Sequence, residues 1–68
     1  MILHKQIGKN LKKARLQLKL TQVEVAESVG VHPNYYARIE RDLETPSLET
    51  LKKILKALKV KSSSILPF

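Results

Sequence analysis

The apolar residues at the start of this chain recur at the spacing of an α-helix. They follow one another at steps of three or four residues and are separated mainly by basic or polar positions: Leu3, Ile7, Leu11, Ala14 and Leu18. That spacing gives a helix one apolar stripe and leaves the lysines on the remaining face. We therefore predict a first helix that ends near residues 18–20.

The next segment carries both a start signal and a stop signal for a short helix. Thr21 and Glu24 have the spacing of a capping box, in which a hydroxyl and a carboxyl group satisfy the first backbone amides. Gly30 supplies the left-handed residue that ends many helices. We predict a second helix of about eight residues. Its inward residues are expected to be Val25, Ala26 and Val29.

A third helix is predicted over residues 33–41. Pro33 suits the first turn of a helix, because the N–H that it lacks would be unpaired there. Tyr36 and Ile39, together with Val31, are expected to face the core. The residues left on the outer face are Asn34, Tyr35, Ala37, Arg38 and Arg41.

Residues 42–46 are predicted to form a loop, and Ser47 then opens a fourth helix. The expected inward set of that helix is Leu48, Leu51, Ile54, Leu55 and Leu58. A hydroxyl of the segment 62–64 can cap one last turn that carries Ile65, Leu66 and Phe68. Because no segment favours a strand, we predict an all-α fold of four helices and a terminal turn, in a single domain spanning residues 1–68.

Charge narrows the class of partner. The 68 residues include 13 Lys and Arg against 6 Asp and Glu, and the formal net charge is +7. Residues 1–20 and 51–68 contain basic residues and no acidic ones, so two basic flanks enclose an acidic middle. Such a balance favours polyanionic partners. The short apolar runs and the absence of a signal-like start lead us to expect no membrane association and a cytoplasmic location.

The residue types do not indicate an enzyme. The chain has no cysteine and only two glycines, which excludes a disulfide framework and makes a phosphate-binding glycine loop untenable. It contains no nucleophile with a matching base and no paired carboxylates. His4 and His32 lack further ligands at metal spacing. We therefore expect no metal, no cofactor and no small-molecule ligand.

Two short helices joined by a glycine-containing turn can place the second helix in a DNA groove. That arrangement needs a small residue where the helices cross and a left-handed residue in the turn, and Ala26 and Gly30 stand at those places. The sequence then resembles the lambda-repressor-like, Cro-type (xenobiotic-response-element) helix-turn-helix family over residues 5–66. The matching positions are the segments 7–15, 20–26, 29–31, 38–41 and 46–51, together with Tyr35.

The resemblance implies a compact four- to five-helix domain that binds duplex DNA as a transcriptional regulator. Helix 33–41 would read the major groove, and Asn34 and Arg38 have the chemistry to bind adenine and guanine respectively. Thr21 and Gln22 would contact phosphate, and Gln22 would also brace the reading helix. The remaining DNA-binding positions implied are His32, Pro33, Tyr35, Ala37 and Arg41.

The sequence departs from the family pattern at five points. His32 stands where relatives usually have a Ser or Thr cap, and Pro33 stands where they often read a base. Asp42 and Lys59 stand where relatives commonly have glycine, and the loop 42–44 is acidic where relatives often contact phosphate. The resemblance also implies a partly buried structural ion pair between Arg15 and Glu40. The apolar end either folds back on the fourth helix or forms a two-fold dimer interface. We favour the interface, formed through Ile65, Leu66 and Phe68.

The alternative function is an antitoxin-like protein-interaction module that keeps the fold without reading DNA.

Overall fold

The architecture is entirely helical. A computed structural model describes residues 3–65, with the side chains of residues 7–63 and of Ile65. Its elements are α1 (Leu3–Gln17), α2 (Gln22–Val29), α3 (Pro33–Glu40), α4 (Leu48–Leu58) and the single turn α5 (Ser62–Ile65). This range contains no strand, so the all-α prediction is confirmed. None of its helices combines the length and the apolarity that crossing a bilayer requires.

The predicted capping residues begin and end the central helices. Thr21 accepts a hydrogen bond from the N–H of Glu24, whose carboxylate accepts one from the N–H of Thr21, which completes the capping box. Gly30 ends α2 in the left-handed conformation, with a φ of 87°. Two amides, those of Gly30 and Val31, then donate to the carbonyl of Ala26 and turn the chain toward α3.

The core lies where α2 packs on α3 and α4, and where α1 packs on α3, α4 and α5. Tyr36, predicted as a core residue, is fully buried there. The other residues of the core cluster are Leu11, Ala14, Val25, Ala26, Val29, Ile39, Leu51, Ile54, Leu55, Leu58 and Ile65. α3 is thus held on one side by the two elements that precede it.

Two residues assigned to the core are exposed instead. Leu18 is 40% exposed because α1 ends at Gln17 and Lys19 takes a positive φ, which turns the chain away from the helical stripe. Leu20 packs against the core after this turn. Leu48 is 68% exposed, since it occupies the first turn of α4 beside a loop whose neighbouring residues are also exposed. The apolar spacing of α4 therefore continues one step beyond the core.

The end of the described chain folds back onto α1. Ile65 is only 2% exposed, and its carbonyl accepts a hydrogen bond of 2.8 Å from the side-chain amide of Asn10. A side chain buried this far within one copy has no surface left for a second copy. The assignment of Ile65 to a dimer interface is therefore wrong. Leu66 and Phe68, the other residues of that assignment, lie outside the described residues.

Candidate nucleic-acid interface

The two sides of α3 differ in chemistry. Tyr36, Ile39 and Glu40 are buried against the rest of the domain. On the opposite side Asn34 and Arg38 are exposed, and between them Ala37 is partly exposed. This outer side presents an amide, a guanidinium and a methyl group along one face of a helix.

The remaining residues predicted for this face lie around its edges. Tyr35 is only partly exposed, and its ring packs against the core, so the expectation that it faces fully outward needs correction. Pro33 is partly exposed in the first turn, and Arg41 is exposed at the C-cap. The geometry thus leaves Asn34, Ala37 and Arg38 in the middle of the outer face.

His32 caps α3. Its Nδ1 accepts a hydrogen bond of 3.0 Å from the N–H of Asn34. A ring nitrogen that accepts from an amide carries no proton, so the proton of the neutral imidazole is on Nε2. The exposed ring can therefore cap the helix and still donate from Nε2 to a phosphate.

The start of α2 lies next to the buried side of α3. Gln22 is half-buried, and its Nε2 donates to Oε1 of Glu40 over 3.0 Å. That bond connects α2 to the last turn of α3, so Gln22 braces the helix from behind. Thr21 is exposed; its oxygen accepts the capping bond, and its O–H is a further donor.

Arg15 and Glu40 form a buried ion pair between α1 and α3. Nε of Arg15 donates to Oε2 of Glu40 over 2.7 Å, and a terminal nitrogen donates to Oε1 over 3.1 Å. The other terminal nitrogen donates to the carbonyl of Leu20 over 2.8 Å. With Gln22 added, the carboxylate of Glu40 accepts three hydrogen bonds from two helices. The network fixes α1, α2 and α3 to one another.

The ionisation of this network follows from burial and hydrogen bonding together. Burial alone would raise the pKa of Glu40, but the hydrogen bonds from Arg15 and Gln22 outweigh it and the net pKa is lowered. The same carboxylate raises the pKa of Arg15. Burial, and then the side-chain interaction with the Glu40 carboxylate, raise the pKa of Tyr36. The Tyr36 hydroxyl has no hydrogen bond of standard geometry within the described chain.

A close backbone approach, which the sequence did not reveal, sets the other contact between α1 and α3. A Cβ at Gly8 would lie 2.6 Å from the carbonyl oxygen of Ile39 and 2.7 Å from that of Glu40. The N–H of Gly8 donates to Oδ1 of Asp42 over 3.2 Å. Asp42 itself has a φ of 60°, the left-handed conformation expected where relatives have glycine. The available signal was the glycine at position 8 within the predicted first helix, since a glycine inside a helix often marks close packing.

The loop after α3 adds a second contact that the sequence pattern does not predict. Nε of Arg38 donates to Oε1 of Glu44 over 3.2 Å, and both side chains are partly exposed. The acidic loop therefore lies against the outer face of α3. In sequence, the only signal was a carboxylate six residues after the arginine.

A comparison with known families agrees with this geometry. The family model described as helix-turn-helix (HTH_3) matches residues 11–65, which include α2, the glycine turn and α3. The chain belongs to this helix-turn-helix family. The resemblance inferred from the sequence is thereby confirmed.

Individual members of the helix-turn-helix family extend the comparison. The immunity repressor protein of Bacillus phage phi105 is 42% identical over 59 residues, which are 87% of this chain and 41% of the repressor. The chain spans 41% to 55% of the length of the curated relatives it matches, which include the transcriptional regulators ImmR and SinR of Bacillus subtilis.

Two solved helix-turn-helix structures share the fold. The clp gene regulator ClgR from Corynebacterium glutamicum superimposes with a TM-score of 0.91 at 28% identity, over 96% of this chain and 83% of ClgR. The restriction-modification controller protein C.Esp1396I has a TM-score of 0.85 at 26% identity, over 96% and 86% of the two chains. That controller was solved as a tetramer in complex with its natural 35 base-pair operator.

Proposed function

We propose that this helix-turn-helix chain is a sequence-specific transcriptional regulator that binds duplex DNA with α3 in the major groove. The observation that carries the proposal is the outer face of α3, where Asn34 and Arg38 are exposed while the opposite side of the same helix is anchored. An amide side chain can bind adenine and a guanidinium can bind guanine, each through two hydrogen bonds.

Phosphate contacts would fix the domain on the duplex. Thr21 and Gln22 stand at the start of α2, where the O–H of Thr21 and the second N–H of the Gln22 side-chain amide can donate to a phosphate. His32 can donate from Nε2 at the start of α3. Such contacts position the protein and carry no sequence information. The net charge of +7 supports this part of the proposal, because each neutralised phosphate releases counterions.

We further propose that two copies bind one operator. Two reading helices spaced one turn of DNA apart, about 34 Å, would meet two half-sites. With Ile65 in the core, Leu66 and Phe68 remain the proposed contact between copies. We also propose that this regulator meets its DNA in the cytoplasm.

Selection of bound duplexes from a random pool tests the proposal. Binding of the selected duplex and of a random duplex is then compared by fluorescence anisotropy at several salt concentrations. We expect the selected duplex to bind at least about 10³-fold more tightly. Affinity for both duplexes should fall steeply as salt rises. A two-fold symmetric recovered motif would support the dimer.

A matched pair of variants identifies the reading side chain. Arg38→Ala should weaken binding of the selected duplex by about 1–3 kcal/mol and relax the sequence preference at one base position. Lys56→Ala removes the same charge from an exposed position on α4 and should not relax any base position. Equal losses on selected and random DNA for Arg38→Ala would contradict base reading by this residue. Absence of binding at low salt would overturn the DNA proposal and favour the antitoxin-like protein-interaction module.

A further inference from the structure

The contact between Arg38 and Glu44 lies on the face proposed to read DNA. Both side chains are partly exposed, at 54% and 38%. Ion pairs at that exposure contribute little to stability. Its position beside the reading residue is therefore more informative than its energy.

The carboxylate is the better fixed of the two partners. The N–H of Leu43 donates to the carbonyl of Arg38 over 2.9 Å, which folds the loop back along the last turn of α3. Glu44 then lines a small crevice together with Ile7, Ile39 and Pro46. The side chain of Arg38 is the more exposed of the two, at 54% against 38%, so the carboxylate restrains the guanidinium.

The contact with Glu44 leaves the two terminal nitrogens of the guanidinium available to bind a base. Arginine carries five N–H donors in a planar fork, and Glu44 engages Nε. The two terminal nitrogens remain, and two parallel donors are what a guanine edge requires. A guanidinium that is already held in one orientation loses less side-chain entropy when it binds.

We propose that Glu44 is a positioning residue for base reading, whose carboxylate holds Nε of Arg38 and directs the two terminal nitrogens toward one guanine of the operator. The inference rests on the proposed DNA-binding function. The negative charge also repels phosphate, so Glu44 disfavours contacts in which Arg38 binds the DNA backbone at random sequences. Both effects raise the ratio of specific to random affinity.

Two variants at one position separate the acceptor from the charge. Glu44→Gln and Glu44→Ala both remove one negative charge, but glutamine keeps an oxygen that can accept from Nε of Arg38. Both should raise affinity for random duplex equally. The ratio of specific to random affinity should fall about 3- to 10-fold more in Glu44→Ala than in Glu44→Gln. In an Arg38→Ala background the two variants should have equal ratios.

Nuclear magnetic resonance of the free protein reports the contact without DNA. The Nε–H signal of Arg38 should shift and exchange faster in Glu44→Ala, while the melting temperature changes by less than about 2 °C. An unmoved signal, or equal ratios for the alanine and glutamine variants, would overturn the positioning role while DNA binding stands. If the wild-type chain binds selected and random duplexes equally well, the proposed function is overturned. This inference then falls with it, even where the Nε–H signal moves.

Discussion

Replacing Arg15 should unfold this domain, and replacing its partner Glu40 as well should restore most of the lost stability. In Arg15→Met the carboxylate of Glu40, which is 1% exposed, keeps only the hydrogen bond from Gln22. Breaking one partner of a buried pair costs about 3–5 kcal/mol, because a charge is left buried without compensation. A core of this size supplies only about 3–5 kcal/mol in total. The variant should therefore be mostly unfolded at 25 °C.

The double variant Arg15→Met with Glu40→Met tests the reason for that loss. Two apolar side chains of similar length replace the pair, and such replacements are often neutral or stabilising. Gln22 is half-exposed and can turn to water, whereas the carbonyl of Leu20 loses its donor, at a cost of about 1 kcal/mol. We expect the double variant to fold, about 1 kcal/mol less stable than the wild type.

Urea unfolding followed by far-ultraviolet circular dichroism measures both variants. Lys12→Met is the control, since it makes the same replacement at an exposed position of α1 and should change the free energy of unfolding by less than about 0.5 kcal/mol. A cost below about 1 kcal/mol for Arg15→Met would show that the pair is not desolvated. A double variant as unstable as the single one would show that packing, rather than the buried charge, sets the cost.

Three further predictions follow from the same structure. Folding lowers the pKa of Glu40 from 4.5, so the carboxylate stabilises the folded state fully above pH 4.5 and loses this effect as the pH falls through the folded-state pKa. The urea midpoint should therefore drop on acidification more in the wild type than in the double methionine variant. Gly8→Ala should lower the free energy of unfolding by about 1–3 kcal/mol in the same assay, because the Cβ of alanine meets two backbone carbonyls. This loss is expected although alanine favours helices. Unchanged stability would show that α1 can shift without cost. Leu48→Ser should change thermal stability by less than about 0.5 kcal/mol, whereas Leu58→Ala should cost about 2–5 kcal/mol, and similar losses would contradict the exposure of Leu48.

Local signals in the sequence predicted most of the fold. The capping box at Thr21, the proline at the start of α3 and the left-handed Gly30 each act over a few residues, and all occur where expected. Apolar spacing gave the buried sides of α2 and α3 because both helices lie in the middle of the domain. In each of these helices the apolar residues lie on one side only, which leaves little freedom in which side faces inward.

The errors and omissions concern contacts between distant parts of the chain. Leu48 has the spacing of a core residue, but spacing does not show where along a helix the covering elements stop. The sequence allows Ile65 either to pack within its own chain or to contact a second copy, and only its docking on α1 decides between the two. The approach of Gly8 to the carbonyl of Ile39, 31 residues later in the sequence, depends on how α1 and α3 cross. Periodicity carries no information about such crossings.

The separation of α3 into an anchored side and an open side has a consequence for how new binding preferences can arise. Glu40, Tyr36 and Ile39 hold the helix, while Asn34 and Arg38 take no part in the core. Exchanging the latter two therefore leaves the scaffold intact. Libraries that exchange these two residues for any residue except proline or glycine should yield folded proteins with different operator preferences. Regulators that ignore one another's targets could then diverge from one ancestor by very few substitutions.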